Sequence, residues 1–181
     1  MKISMIACVT SDMCIGVDNR LLISLQPDMN YFKQVTSGHT VVMGKNTYLS
    51  LPGKRPLSGR NNVIISSTLK DIQGFTVFKS VQEFIDAYKE KDDEVFIIGG
   101  ASIYDAFMPY AEKIILTHVH RDGITLLNNK DIDYEKVVRF PRSVYDYKWD
   151  IYKSDDEVCL DERYGIVHYN FLTLCKLYAL K

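Results

Sequence analysis

No stretch of about eighteen apolar residues, the length a helix needs to cross a bilayer, occurs in this chain. A membrane-spanning helix is therefore not expected, and the lack of a long hydrophobic segment before residue 20 argues against a secretion signal. Neither sign of charge dominates: 22 Lys and Arg are dispersed among 23 Asp and Glu, which gives no basic face for nucleic acid. Cys8, Cys14, Cys159 and Cys175 show no CxxC spacing and lie mainly in apolar contexts. They read as reduced thiols of a cytoplasmic protein, with no disulfide framework and no metal site. The three-glycine dinucleotide fingerprint is missing, as are internal repeats, low-complexity tracts and any linker-like change of composition. The expectation is one domain over residues 1–181, long enough to bury a good core.

What remains is an alternating pattern. Short apolar runs at 3–9, 40–43, 62–66, 75–78, 95–98 and 113–119 predict strands, and the patterns at 28–35, 81–89 and 101–108 predict helices. This is an α/β arrangement, with a largely parallel sheet and ligands at the carboxyl ends of its strands. Val81, Phe84, Ile85 and Tyr88 share one helix face for packing, and Ser80 with Glu83 reads as a capping box. Two final antiparallel strands are expected at 149–152 and 167–177, joined by an acidic loop at 154–163.

Three motifs fall at strand ends. In Ser24-Leu25-Gln26-Pro27-Asp28-Met29-Asn30-Tyr31-Phe32-Lys33, Pro27 suits the first turn of a helix and Asp28 its positive end. Asp28 and Phe32, four apart, share a face, so an acid stands beside a ring in a pocket suited to a flat, basic heterocycle. In Val95-Phe96-Ile97-Ile98-Gly99-Gly100-Ala101-Ser102-Ile103-Tyr104, the glycines join a strand to a helix and let a ligand approach the backbone, with the helix-opening N–H groups available to an anion. Between them lie Val41-Val42-Met43-Gly44-Lys45-Asn46-Thr47-Tyr48 and Leu57-Ser58-Gly59-Arg60-Asn61-Asn62.

Taken together, these blocks make the sequence resemble a divergent dihydrofolate reductase. The resemblance runs in collinear order from Ile3 to about Val119, through Ile6-Ala7, Ile15-Gly16 with Asn19, Asp28 with Phe32, the Gly44 to Arg60 region, and Ile97-Gly100 with Tyr104 and Thr117; it returns weakly in the last strand. It implies a dihydrofolate-reductase-like fold, with a mostly parallel sheet of about eight strands, an antiparallel C-terminal strand and flanking helices. The implied activity is NADPH-dependent reduction of dihydrofolate by a monomer. On that resemblance Asp28 is the catalytic carboxylate, and Ile6, Ala7, Met29, Phe32, Leu57 and Thr117 line the substrate site. Arg60 would pair its planar fork with the carboxylate of the substrate's glutamate tail. The cofactor contacts it implies are Cys8, Ile15, Gly16, Asn19, Lys45, Asn46, Thr47, Ser66, Ser67, Lys79, Ile98, Gly99, Gly100, Ala101, Ser102, Ile103 and Tyr104.

Departures from the family pattern are also visible. Leu22-Ile23 stands where relatives usually carry Pro-Trp, so restoring Ile23→Trp is expected to raise turnover. Gly123-Ile124-Thr125 replaces the family's Gly-Asp-Thr and lacks the acid that helps to pin the active-site loop, with Asp122 out of register. Ser102 stands where many relatives carry a basic residue, which loosens the expected grip on the 2′-phosphate. No functional residue is assigned to 130–164. Two alternatives stay open: a catalytically weak or silent folate or dinucleotide binder, and a reductase of a related pterin or pyrimidine.

Overall fold

A computed structural model describes residues 1–127 and 134–177. The first half contains β1 (Lys2–Thr10), β2 (Cys14–Val17), β3 (Arg20–Leu21), α1 (Gln26–Thr36), β4 (Thr40–Gly44), α2 (Lys45–Ser50), β5 (Asn61–Ile65) and β6 (Thr76–Phe78). There follow α3 (Val81–Tyr88), β7 (Glu94–Ile97), α4 (Ala101–Phe107), β8 (Lys113–Val119) and α5 (Gly123–Leu127). The chain closes with β9 (Val137–Arg139), β10 (Trp149–Lys153), β11 (Glu157–Asp161) and β12 (Gly165–Lys176).

Nine strands form the main sheet among the described residues, in the order β10-β12-β8-β1-β7-β4-β5-β6 with β11 also on β12. From β8 to β6 the six strands are parallel. β12 then runs antiparallel against β8. Strand β4 is buried along its whole length, as a parallel strand covered on both faces must be. Alternation sorts its side chains. Val42 joins Val63, Ile97, Phe84 and Phe107 under α3 and α4, while Val41 and Met43 join Ile6, Ile64, Phe96 and Ile115 on the face that receives Tyr31 and Phe32 of α1. Burying a large apolar side chain in either layer contributes about 1.5–3 kcal/mol.

One sequence expectation needs correction and one strand was not expected. The acidic stretch 154–163 is not all loop, because β11 pairs with β12 immediately after β10 does. Lys153 faces Leu172 and Glu157 faces Tyr169, so three residues on one strand oppose two on the other and form a bulge in one long hairpin. Periodicity misled here because the apolar side of β11 faces outward: Val158 is 58% exposed and Leu160 82%. Of the region 130–164, to which no functional residue was assigned, residues 130–133 lie outside the described residues and the rest adds a strand the sequence did not show. This strand, β9, pairs with β2 in a small second sheet ordered β3-β2-β9, built from strands too short to register as apolar runs.

Candidate active site

Helix α1 delivers the carboxylate. Pro27 lies in its first turn and needs no hydrogen-bond partner there, and the helix turns its inner face onto the Ile6, Ile115 and Phe96 layer. Asp28 is thereby held 9% exposed. Burial raises its pKa from the ordinary carboxylate range, and hydrogen bonding from the Thr117 hydroxyl, on the neighbouring β8, pulls partly the other way. Cys8 pairs in register with Thr117, and both burial and the Asp28 charge push its thiol pKa well up, which makes it a poor nucleophile. Tyr104 reaches under the same place from α4, its hydroxyl donating to the Ile6 carbonyl at 2.8 Å. Ile6 is buried and Ala7 and Cys8 are partly so, while Met29 stands exposed on α1.

The other end of α1 holds Arg60. Its Nε and Nη2 donate to Thr36 Oγ1 at 3.2 and 3.1 Å, Nη2 also to the Lys33 carbonyl at 3.4 Å, and Nη1 to the Ser58 carbonyl at 2.7 Å. The guanidinium carbon lies 5.8 Å from the Phe32 ring centre. Burial lowers the pKa of this arginine from its usual value, yet a guanidinium remains cationic throughout the working pH range. Asp28 and Thr36 are eight residues apart, so about 12 Å of helix separates the carboxylate from the cation's anchor. Phe32 lies between them, and Leu57 packs on the same layer.

Thr36 and Asn62 were not legible as site residues. Thr36 is fully buried and donates to the Phe32 carbonyl at 2.7 Å while accepting from Arg60. The Asn62 amide, 6% exposed, accepts from the Leu57 N–H at 2.9 Å and donates to the Leu57 and Arg60 carbonyls at 2.9 and 3.1 Å. It staples the loop that presents both residues. A polar side chain at the start of an apolar strand was the available signal.

Across the sheet, the ends of four parallel strands gather the expected cofactor residues. Gly44 donates its N–H to the Gly99 carbonyl at 2.7 Å, and a Cβ at Gly44 would lie 2.7 Å from Ile103 Cγ1, so α2 and α4 begin in close contact. Gly99 has φ of 107° and is joined to Gly100 by a cis peptide. A Cβ on Gly99 would meet the Tyr104 ring at 3.0 Å, and one on Gly100 would meet Thr47 Oγ1 at 3.6 Å. Glycine at both N-cap positions leaves the opening N–H groups of both helices without a side-chain cap. Ile98 continues β7 by donating its N–H to Val42, and Ala101 and Ser102 open α4.

At the far edge Lys45 Nζ donates to Thr68 Oγ1 at 3.2 Å, and Ser66 Oγ accepts from the Thr68 and Leu69 N–H groups at 3.3 and 3.2 Å. Ser66 is tied to Phe78, which brings Ser67 and the exposed Lys79 to the same edge, with Asn46 exposed beside Lys45. The Lys45 ammonium among these hydroxyls forms a donor set suited to a phosphate, with Lys79 exposed just past the strand end that Ser66 bonds. Thr68 joins this set unannounced by the sequence. The residues present therefore fit a phosphorylated dinucleotide.

The loop of residues 11–24 packs Met13 and Ile15 against the core cluster that holds Tyr104. Ile15 and Gly16 lie in β2, and Asp18 and Asn19 form its two-residue turn with φ of 47° and 57°. Positive φ at both positions is the hairpin geometry that Asp and Asn tolerate best. Leu22 and Ile23 are 4% and 2% exposed. Ile23 packs with Leu25, Val119, Leu126, Val167 and Tyr169 in a third core cluster. The position is filled, so a larger ring overpacks it, which sets a stability cost against the turnover gain expected of Ile23→Trp.

Comparison with known proteins agrees with this geometry. The family profile described as Dihydrofolate reductase matches residues 2–152. Dihydrofolate reductase of Bacillus subtilis is 32% identical over 161 residues, spanning 84% of this chain and 94% of the relative, and that of Staphylococcus haemolyticus is 31% identical over 84% and 96%. The solved structure of dihydrofolate reductase from Enterococcus faecalis, complexed with NADP(H) and RAB-propyl, superposes with a TM-score of 0.77 at 20% identity, covering 98% of this chain and 97% of that one. The chain belongs to the dihydrofolate reductase family.

Proposed function

We propose that this chain reduces 7,8-dihydrofolate to 5,6,7,8-tetrahydrofolate with NADPH, acting as a cytoplasmic monomer that supplies one-carbon and thymidylate metabolism. The observation that carries the reading is the pairing along α1 of a buried carboxylate, Asp28, with a cation, Arg60, anchored two turns further on. A pterin with a glutamate tail needs that combination at that spacing. A related pterin or pyrimidine without the tail would leave Arg60 without a ligand.

Reduction adds a hydride to C6 and a proton to N5 of the substrate's imine. Bound NADPH supplies the hydride, and the nicotinamide family it belongs to leaves alignment and exclusion of water to the protein. Lys45, Ser66, Ser67, Thr68 and Lys79 would hold its 2′-phosphate end, and Gly99 to Tyr104 its pyrophosphate and nicotinamide. Asp28 accepts from the pterin's amino group and adjacent N–H, two charge-assisted hydrogen bonds that orient the ring. Below its raised pKa the same carboxyl is instead protonated, and water relays that proton to N5. Ile6, Ala7, Met29, Phe32 and Leu57 exclude solvent, and Arg60 takes the tail carboxylate.

The test follows loss of NADPH absorbance with dihydrofolate across a pH series, for the native chain and Asp28→Asn. The native rate should fall as pH rises through the elevated Asp28 pKa. The variant should lose about 10²–10⁴-fold, as removal of a general acid does, with part of the loss recovered at low pH. NADPH that binds tightly but is not oxidised by dihydrofolate would instead identify a silent binder.

A further inference from the structure

At the foot of the 11–24 loop, one side chain ties its own turn to two distant stretches of chain. Asp12 Oδ1 accepts from the Thr10 hydroxyl at 2.6 Å and from the Gly123 N–H at 2.8 Å. Its Oδ2 accepts from the Cys14 thiol at 3.1 Å and lies 3.5 Å from Arg139 Nη2. These partners end β1, open α5, open β2 and end β9 respectively. Desolvation works against ionisation of this carboxyl, but hydrogen bonds from Thr10, Gly123 and Cys14 outweigh it and hold the pKa down to about 2.

The backbone around it is equally committed. The Ser11 N–H donates to the Arg121 carbonyl at 3.2 Å and the Phe140 N–H to the Met13 carbonyl at 2.8 Å. A Cβ on Gly123 would lie 2.9 Å from Cys14 Cβ and Sγ and from Leu22 Cδ2, so α5 can approach the loop this closely only with glycine there. The chain lacks an acid at position 124 to reach across to the loop. Here the acceptor comes from the loop and the donor from α5.

We propose that Asp12 is a positioning residue for the reductase reaction: it clasps the 11–24 loop to α5 and β9 and so sets where Ile15, Gly16 and Asn19 stand at the cofactor side. The proposal rests on the reductase reading for its effect on rate, but the clasp itself is measurable without turnover.

Asp12→Ala and Asp12→Asn test it in the full-length chain. Loss of two hydrogen bonds to a charged acceptor should weaken NADPH binding, read by fluorescence titration, and slow single-turnover hydride transfer, each by about tenfold in Asp12→Ala. The KM for dihydrofolate should stay within about twofold, since α1 is untouched; a general loss of structure would not spare it. Asparagine keeps an Oδ1 acceptor for Thr10 and Gly123, so Asp12→Asn should recover most of the NADPH affinity. Amide exchange at Gly123 should be faster in Asp12→Ala than in Asp12→Asn. Native-like NADPH affinity and native exchange at Gly123 in a folded Asp12→Ala overturn the proposal, as does equal damage in both variants. Should Asp12→Ala fail to fold, Asp12→Asn decides alone: the proposal needs its Gly123 protection and its NADPH affinity near native, and loss of either refutes it. A native chain that never oxidises NADPH with dihydrofolate would remove the reductase reading, while Gly123 exchange still reports on the clasp.

Discussion

The substrate wall and the loop facing it are held by opposite strategies. Asp28, Phe32 and two of the three residues that hold Arg60, Lys33 and Thr36, belong to one eleven-residue helix, the third being Ser58 in the loop before β5. The 11–24 loop has no such local frame. Thr10 and Gly123 fasten its start through Asp12; Tyr164 Oη donates to the Leu22 carbonyl at 3.1 Å and Arg163 Nη2 to the Ser24 carbonyl at 2.7 Å at its end. A wall built from one helix couples recognition to the core beneath it. A loop tied from distant segments can be loosened one tie at a time, and each tie is worth little alone.

The contrast is broken most severely at Asp28, where the wall holds an ionisable group against its own solvation. Asp28→Asn should cost the activity argued above and yet raise stability at neutral pH. The sign follows from linkage. Folding raises this pKa, so the folded state binds the proton more tightly than the unfolded one between the ordinary and the elevated values. The native chain therefore loses stability as pH rises through that window. Asparagine does not titrate, so its advantage should be complete above the elevated pKa and disappear below the ordinary aspartate range. Melting temperatures of the two proteins against pH measure this, and equal temperatures at pH 7 would deny that burial strains Asp28.

At the other end of the wall, Arg60→Ala should raise the KM for dihydrofolate about 10–100-fold with kcat much less affected, the loss of hydrogen bonds to a charged group. Thr36→Val sharpens the point. It removes the Oγ1 that accepts from both Nε and Nη2, touches no substrate, and should raise KM about three- to tenfold through Arg60 alone. If Thr36→Val leaves KM unchanged, the helix does not position the guanidinium.

The same contrast explains what could be read from the sequence. Asp28 with Phe32 is a spacing within one helix, and β4, buried on both faces, is a continuous apolar run; such signals are local and were legible. The joint of Gly44 with Gly99 had its glycines in plain view, though not their contact. Thr36 acts through Arg60, twenty-four residues on, and nothing local marks it, whereas the only hint of Asn62's bonds to Leu57 and Arg60 was a polar side chain at the start of an apolar strand. Least legible was the loop's support. β9, Arg139, Arg163 and Tyr164 belong to a region with no motif, and their role exists only after β2 and the hairpin tip have been brought together. Ile124 stands where an acid was expected from the family pattern, and the carboxylate that accepts from Gly123, Asp12, lies more than a hundred residues earlier.

Ile23→Trp probes the loop's second foot. The indole must enter a cluster already closed by Leu25, Val119, Val167 and Tyr169, and overpacking of this kind costs about 1–3 kcal/mol. For a chain of this size that lowers the melting temperature by about 2–10 °C. A variant as stable as the native chain and faster in turnover would mean that position 23 faces the cleft, and would make the loop's foot part of the substrate wall.

Tyr164→Phe is the mildest cut and the one that best separates the two regions. It deletes a single hydroxyl that donates to the Leu22 carbonyl, leaving the ring in place, where it lies 5.0 Å from the Arg163 guanidinium carbon, and leaving the Arg121 hydrogen bond to the Tyr164 carbonyl. The cost should be about 0.5–1.5 kcal/mol of stability. Because Arg163 still holds the Ser24 carbonyl, the loop should stay docked, with NADPH affinity and kcat within about threefold of native, little more than 0.6 kcal/mol. Combined with Asp12→Ala, which cuts the tie at the other end, the two feet are far apart along the loop, and if each tie acts alone their effects should add. A combined loss in NADPH affinity well beyond that sum would show that the loop leaves the cleft as one cooperative unit, held from both ends, whereas additivity would confirm a loop that yields one tie at a time.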